Sequence, residues 1–266
     1  MKAILLDLDG TCLTSDYRIS DELCAFIMNI KSDISVHIVT GRAISDALRY
    51  QRQLNLNSEM ICYNGGVIFD YVTKRIKNRK NMKNAQVILQ MLRENYEQWG
   101  IENIVVSSGD ETYVLNQNNE YLCDMLYDRE LPFIRSSFTA MSNIDVVHRI
   151  VLSVLPEKRE WLTQLINDLF MDVIAYGWAG RNEIIDISLR NVDKWDAVAE
   201  LLLERAICRD EVLAYGDGMS DLNMLQNVGV GVGMCNGPQG LMRGVRHVTK
   251  YDNNNNGVYF DIMERI

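Results

Sequence analysis

The chain has no Cys-x-x-Cys pair, no His-x-x-x-His pair, no excess of basic residues and no apolar run long enough for a bilayer. Each absence removes a class of function. Cys12, Cys24, Cys62, Cys123, Cys208 and Cys235 lack paired spacing, and several sit in apolar runs, which speaks against a zinc site or a disulfide framework. His37, His148 and His247 stand far apart in strand-like contexts, a pattern of structural histidines rather than metal ligands. With 36 acidic residues against 27 basic ones and a net charge of -9, the basic stripe of a nucleic-acid binder is missing, so no nucleic-acid partner is expected. Met1 to Leu6 lead straight into Asp7 and Asp9 without an apolar segment behind a basic start, so the expectation is no membrane partner and a reducing, cytoplasmic location. No internal repeat is visible, and the pattern sets no oligomeric state.

What is present is an alternation of short apolar runs and amphipathic stretches. The 266 residues, 47% of them hydrophobic, allow one large core or two smaller ones. Ala3 to Leu6 reads as a buried strand ending in the turn Asp7-Leu8-Asp9-Gly10-Thr11. Leu23, Phe26, Ile27 and Ile30 recur at helical spacing after Ser20, a candidate N-cap, and Val36 to Val39 then runs into Thr40-Gly41-Arg42. A helix from Ala43 to Leu54, a strand from Met60 to Cys62, the turn Asn64-Gly65-Gly66 and a strand from Val67 to Phe69 continue the series. That repetition predicts an α/β fold: a doubly wound, mostly parallel, Rossmann-like sheet with helices on its faces.

The middle reads differently. Lys74 to Lys83 is basic and polar, read as a solvated hinge, and beyond it strand candidates with β-branched alternation cluster at Ile104 to Ser107, Thr112 to Leu115, Arg149 to Val154, Val173 to Tyr176 and Ile184 to Ser188. Helical runs lie near Asn84 to Trp99 and Glu157 to Leu169. Residues 79–189 are therefore expected to form an inserted α+β domain, with residues 1–78 and 190–266 forming the core. The α/β pattern returns with a helix from Lys194 to Glu204, a strand from Val212 to Tyr215, an acidic turn and a strand from Val228 to Val232.

In a parallel α/β sheet, ligands bind beyond the carboxyl ends of the strands. Four polar clusters fall there: Asp7/Asp9/Thr11, Thr40-Gly41-Arg42, Lys194 at a helix start, and Gly216-Asp217-Gly218-Met219-Ser220-Asp221. Each has an ordinary reading when taken singly. Asp-Gly bends a chain, Thr40 and Asp221 suit helix caps, and a lysine at a helix start is usually solvated. Their joint order and placement carry the signal.

That order resembles the haloacid dehalogenase-like hydrolases, and within them the Cof-type phosphatases, over essentially the whole chain; Asn64-Gly65-Gly66, Asn236 and Gly257-Val258 also match family positions. The resemblance implies that the inserted domain is a substrate-specificity cap and that the reaction is hydrolysis of a small phosphorylated metabolite. It assigns Mg²⁺ to the Asp7 and Asp217 carboxylates and the Asp9 backbone carbonyl, a hard cation on oxygen ligands. It makes Asp7 the nucleophile, Asp9 the acid and base, and Thr40 and Lys194 catalytic partners that bind and stabilise the phosphoryl group. Gly10, Thr11, Gly41, Arg42, Asn64, Gly65 and Asn236 fall to phosphate or substrate binding, and Asp221, Gly218 and Ser220 to the surround of the metal. The sequence departs from the family at Cys12, Trp195, Ser220 and Gly237, where leucine, glycine, asparagine and alanine are common.

Two other functions remain open at this stage. A phosphomutase would use the same nucleophile and return the phosphoryl group to another hydroxyl. A binding protein would keep the fold without turnover, although intact Asp7, Asp9, Lys194, Asp217 and Asp221 weigh against it. Tyr176 and Trp178 are candidate substrate contacts in the inserted domain.

Overall fold

A computed structural model describes residues 1–116, 133–178 and 181–266; Cys123 lies outside them. The chain divides into two compact units, one of Met1–Arg42, Ala47–Arg79 and Val192–Ile266, the other of Ala43–Asp46 and Lys80–Asn191.

The first unit is built on a parallel sheet with the strand order His247–Val248, Val230–Gly233, Val212–Gly216, Ala3–Leu6, Ser35–Ile38. All four residues of Ala3–Leu6 are buried, so both faces are covered, as a central parallel strand requires. The helix Lys194–Glu204 contributes Ala197, Val198, Leu201 and Leu202 to a cluster with Ala3, Leu5, Val212 and Ala214. Ser20 caps the helix Asp21–Ile30 through its side chain, which accepts from the Leu23 N–H at 3.2 Å. Because Ala3–Leu6 is flanked by Val212–Gly216 on one side and Ser35–Ile38 on the other, its carboxyl end is a switch point in strand order, the place where α/β sheets open a crevice.

The strand Glu59–Cys62 runs parallel to the core strand it touches, and on its other side it pairs antiparallel with Val67–Asp70, which pairs antiparallel with Ile76–Asn78. An isolated bridge, Val39 to Ile61, links this hairpin to the parallel sheet. The chain reverses at Tyr63–Gly65, where Tyr63 and Asn64 take φ of 53° and Gly65 takes φ of 100°. The basic stretch read as a solvated hinge also holds structure. Lys77 bonds Glu204 at 2.5 Å and pairs with Glu200, while Arg79 reaches Glu200 at 2.5 Å and the Gly65 carbonyl at 2.9 Å.

The second unit carries a six-stranded sheet in the order Val173–Gly177, Ile184–Leu189, Arg149–Val154, Ile101–Ser108, Glu111–Val114, Ile134–Arg135. Its pairs are antiparallel except the last, which is parallel. The longest helices of this unit among the described residues are Ala85–Glu94 and Pro156–Leu169. The architecture is thus α/β, a parallel core sheet with helices and a separate, largely antiparallel unit inserted into its sequence. Among the described residues, no helix is long and apolar enough to cross a membrane.

Candidate active site

The parallel register brings the chemistry together. Leu6 lies beside Tyr215, so the residues that follow these strands, Asp7 and Asp217, emerge at the same end of the sheet. Lys194 opens its helix immediately after Asp193, whose carboxylate accepts from the Trp195 N–H at 2.7 Å and fixes the start. The lysine is not solvated: it is 2% exposed, and its Nζ donates to Asp7 Oδ1 at 2.7 Å and to Asp221 Oδ1 at 2.6 Å. Thr11 Oγ1 lies 3.1 Å from Asp7 Oδ2 and 3.3 Å from Asp217 Oδ1, and its single proton serves one of them at a time. Asp221 does not act as a side-chain helix cap; its second oxygen accepts from the Gly218 N–H at 2.9 Å, tightening the acidic turn around it.

Charge does not balance here. Asp7, Asp217 and Asp221 each place an oxygen within 4.8 Å of the others, and Lys194 is the cation that bonds two of them. Burial pushes the Asp7 carboxyl well above the usual carboxylate range, with Asp221 and Asp217 adding to the rise and Lys194 opposing it. Burial, then Asp221, pushes Asp217 up to about 6. For Lys194, burial works against the charge, but Asp221 and Asp7 outweigh it and hold the ammonium above the ordinary lysine range. Cys12 is buried beside this cluster, and burial, followed by the Asp7 charge, pushes its thiol up.

The remaining sequence-derived residues divide into those close to this centre and those that shape it. Thr40 is fully buried; its Oγ1 accepts from the Arg42 N–H at 3.1 Å, and its carbonyl accepts from the Asn64 N–H at 3.0 Å. Arg42 is turned to Asp9, donating from Nε at 2.8 Å and from Nη2 at 2.6 Å. Gly10 sits at φ +70°, and a Cβ there would stand 2.3 Å from Asp217 Oδ2, so only glycine lets this turn approach the acid. Asn236 donates to the Gly10 carbonyl at 2.8 Å, and Asn253 to the Leu13 carbonyl at 2.7 Å; both brace the turn that carries Asp9. Gly41 faces the Asn64 side chain, and Gly65 packs on the Asp193 carbonyl, where a Cβ would stand at 2.3 Å. Gly218 lies in the acidic turn, Ser220 is exposed, and Trp195 packs partly buried against the core cluster.

Sequence reasoning missed the Asp9–Arg42 pair and the rings of Tyr17 and Tyr50, which lie 5.4 Å and 5.3 Å from the Arg42 guanidinium carbon. Their spacing carries no periodic signal. In the second unit, Trp178 donates from Nε1 to Asp186 Oδ2 at 2.9 Å, and Tyr176 is part of the same strand region, half exposed.

The donor set suits a hard divalent cation. Three crowded carboxylates, of which Asp7 and Asp217 have lifted proton affinities, are what a cation on oxygen ligands relieves, and no thiol or imidazole belongs to the group.

The family model described as haloacid dehalogenase-like hydrolase matches residues 4–262. A 5-amino-6-(5-phospho-D-ribitylamino)uracil phosphatase of Bacillus subtilis is 25% identical over 236 residues, covering 88% of this chain and 86% of the relative. Another Bacillus subtilis phosphatase is 26% identical over 290 residues, covering 97% of each. Among solved structures, a haloacid dehalogenase-like hydrolase from Bacteroides thetaiotaomicron superposes with a TM-score of 0.86 at 22% identity, over 100% of this chain and 99% of that one.

Proposed function

Since the chain belongs to the haloacid dehalogenase-like hydrolases, we propose that it is a cytoplasmic, Mg²⁺-dependent phosphatase that hydrolyses a small phosphorylated metabolite through an aspartyl-phosphate on Asp7. The observation that carries this is the buried Lys194 held between Asp7 and Asp221, with Asp217 closing on the same point. A merely structural ion pair would not gather two surplus carboxylates in a buried turn. The Bacillus subtilis relative named for a phosphorylated ribitylamino compound supports sugar phosphates and their analogues as the substrate class.

The Asp7 and Asp217 carboxylates and the Asp9 backbone carbonyl would hold Mg²⁺, which when bound offsets the negative charge that otherwise repels a phosphate ester from a carboxylate. An Asp7 oxygen attacks phosphorus as the ester oxygen departs, forming an acyl phosphate. Asp9 gives its proton to the departing alkoxide and then accepts one from the water that attacks the acyl phosphate, so Asp7 is regenerated and inorganic phosphate leaves. Lys194 stays beside Asp7 throughout and supplies positive charge to the phosphoryl oxygens, while Thr40 and Thr11 offer hydroxyls to the same group.

A Mg²⁺-dependent screen over a panel of phosphomonoesters tests this reading. Free phosphate should accumulate, not an isomeric phosphate, and Asp7→Asn should lower kcat by about 10⁴-fold or more. Equal turnover by Asp7→Asn and wild type would overturn the mechanism.

A further inference from the structure

The family-derived reading directs the guanidinium of Arg42 toward phosphate. Its fork is already engaged. Nε and Nη2 meet the two oxygens of Asp9 at 2.8 Å and 2.6 Å, the side-by-side geometry in which arginine matches a carboxylate best. The guanidinium is itself held, with the Tyr17 and Tyr50 rings 5.4 Å and 5.3 Å from its central carbon. The Tyr50 ring is fully buried, and its hydroxyl donates to the Tyr17 carbonyl at 3.2 Å, as Arg49 Nη2 does at 2.6 Å. A chain of contacts therefore runs from the helix Ile44–Gln53 through two rings and a planar cation to the carboxylate of Asp9.

Asp9 needs that support. Its side chain is 52% exposed and sits on a turn rather than a strand, so packing alone does not fix its direction. An acid or base contributes only when its oxygen is held where the proton moves. Each carboxylate oxygen keeps a second lone pair outside the fork, so orientation by Arg42 and proton transfer by Asp9 are compatible.

We infer that Arg42 is a positioning residue that orients Asp9 for proton transfer to the leaving group, and not a ligand of the substrate phosphate. The inference rests on the phosphatase reading, in which Asp9 is the acid.

The test uses leaving groups of different basicity, because an alkoxide needs protonation far more than a phenolate does. Wild type, Arg42→Lys and Arg42→Met are assayed with an aryl phosphate and an alkyl phosphate, with Mg²⁺ present and thermal melts recorded. The expectation for Arg42→Met is a kcat loss on the alkyl ester of ~100-fold, at least ~10 times larger than its loss on the aryl ester. Arg42→Lys, which keeps the charge without the fork, should fall between and carries the test if the methionine variant does not fold. In an Asp9→Asn background, Arg42→Met should cost no more than ~3-fold further on the alkyl ester, because its effect passes through Asp9. Losses of equal size on both esters, lying in KM and undiminished in the Asp9→Asn background, would make Arg42 a phosphate ligand and overturn the inference. Absence of turnover of either ester by wild type would instead overturn the phosphatase reading, and this inference with it.

Discussion

Each unit buries a carboxylate against a cation, and the two are resolved differently. In the second unit, Asp186 is fully buried and meets one guanidinium, that of Arg149. Trp178 Nε1 donates to Asp186 at 2.9 Å and Ser188 Oγ at 2.7 Å. In the first unit, three carboxylates share Lys194 and a threonine hydroxyl. The arrangement around Asp186 sets one acid against one cation with neutral donors beside it, the kind of network that holds strands in register. The arrangement in the first unit keeps surplus negative charge in a buried turn, a charge that a bound cation would offset.

The sharpest way to break the comparison is to remove each cation. Lys194→Met should lower kcat by about 10³-fold, as loss of a positioned donor does. It should also destabilise the fold by about 3–5 kcal/mol, since two buried carboxylates lose their partner. Added Mg²⁺ should restore part of that stability in urea melts. Arg149→Met should cost a similar ~3–5 kcal/mol by leaving Asp186 unpaired, and Mg²⁺ should restore none of it. Equal responses to Mg²⁺ would erase the distinction between the two sites.

A smaller effect separates the units by pH. Burial pushes His148, in the second unit, down to about 4, and its Nδ1 accepts from the Gly109 N–H at 3.1 Å, so the native imidazole is neutral. The unfolded chain takes up that proton near pH 6.5 while the native one does not, so stability is full above pH 6.5 and lost as pH falls toward 4. The loss from this group approaches about 3 kcal/mol. His148→Gln should flatten the slope of urea-unfolding free energy between these pH values; an unchanged slope would assign the acid sensitivity elsewhere.

The smallest expected effect concerns the turn that carries Asp9. Asn236→Ala removes the donor to the Gly10 carbonyl and should cost about 1 kcal/mol, with a fall in kcat of a few-fold and little change in KM. A rise in KM at constant kcat would instead place Asn236 on the substrate.

The parallel strands were legible because both their faces are buried, and Ala3 to Leu6 or Val212 to Tyr215 reads as an uninterrupted apolar run. The antiparallel pairing of Glu59–Cys62 with Val67–Asp70 was not, since a short apolar run says nothing of its partner. The reversal depends on Tyr63 and Asn64 entering left-handed conformations that their types do not announce. Ile76–Asn78 was hidden by its lysine, whose charge is neutralised by glutamates more than a hundred residues away. At the site, Asp7, Lys194, Asp217 and Asp221 could be named only because their order resembles a family. Each alone has a bland reading, and Asp221 fits the consensus of a cap that it does not form. The Arg42 fork was invisible because it depends on a side-chain plane fixed by Tyr17 and Tyr50, and no spacing rule encodes that.

The central claim is that Asp7 carries the phosphoryl group. Acid quenching of wild type during steady-state turnover with Mg²⁺ and a labelled phosphomonoester, followed by peptide mapping, measures it directly. Label is expected on the peptide containing Asp7, and none in Asp7→Asn. Label on another residue, or turnover by Asp7→Asn, would contradict it.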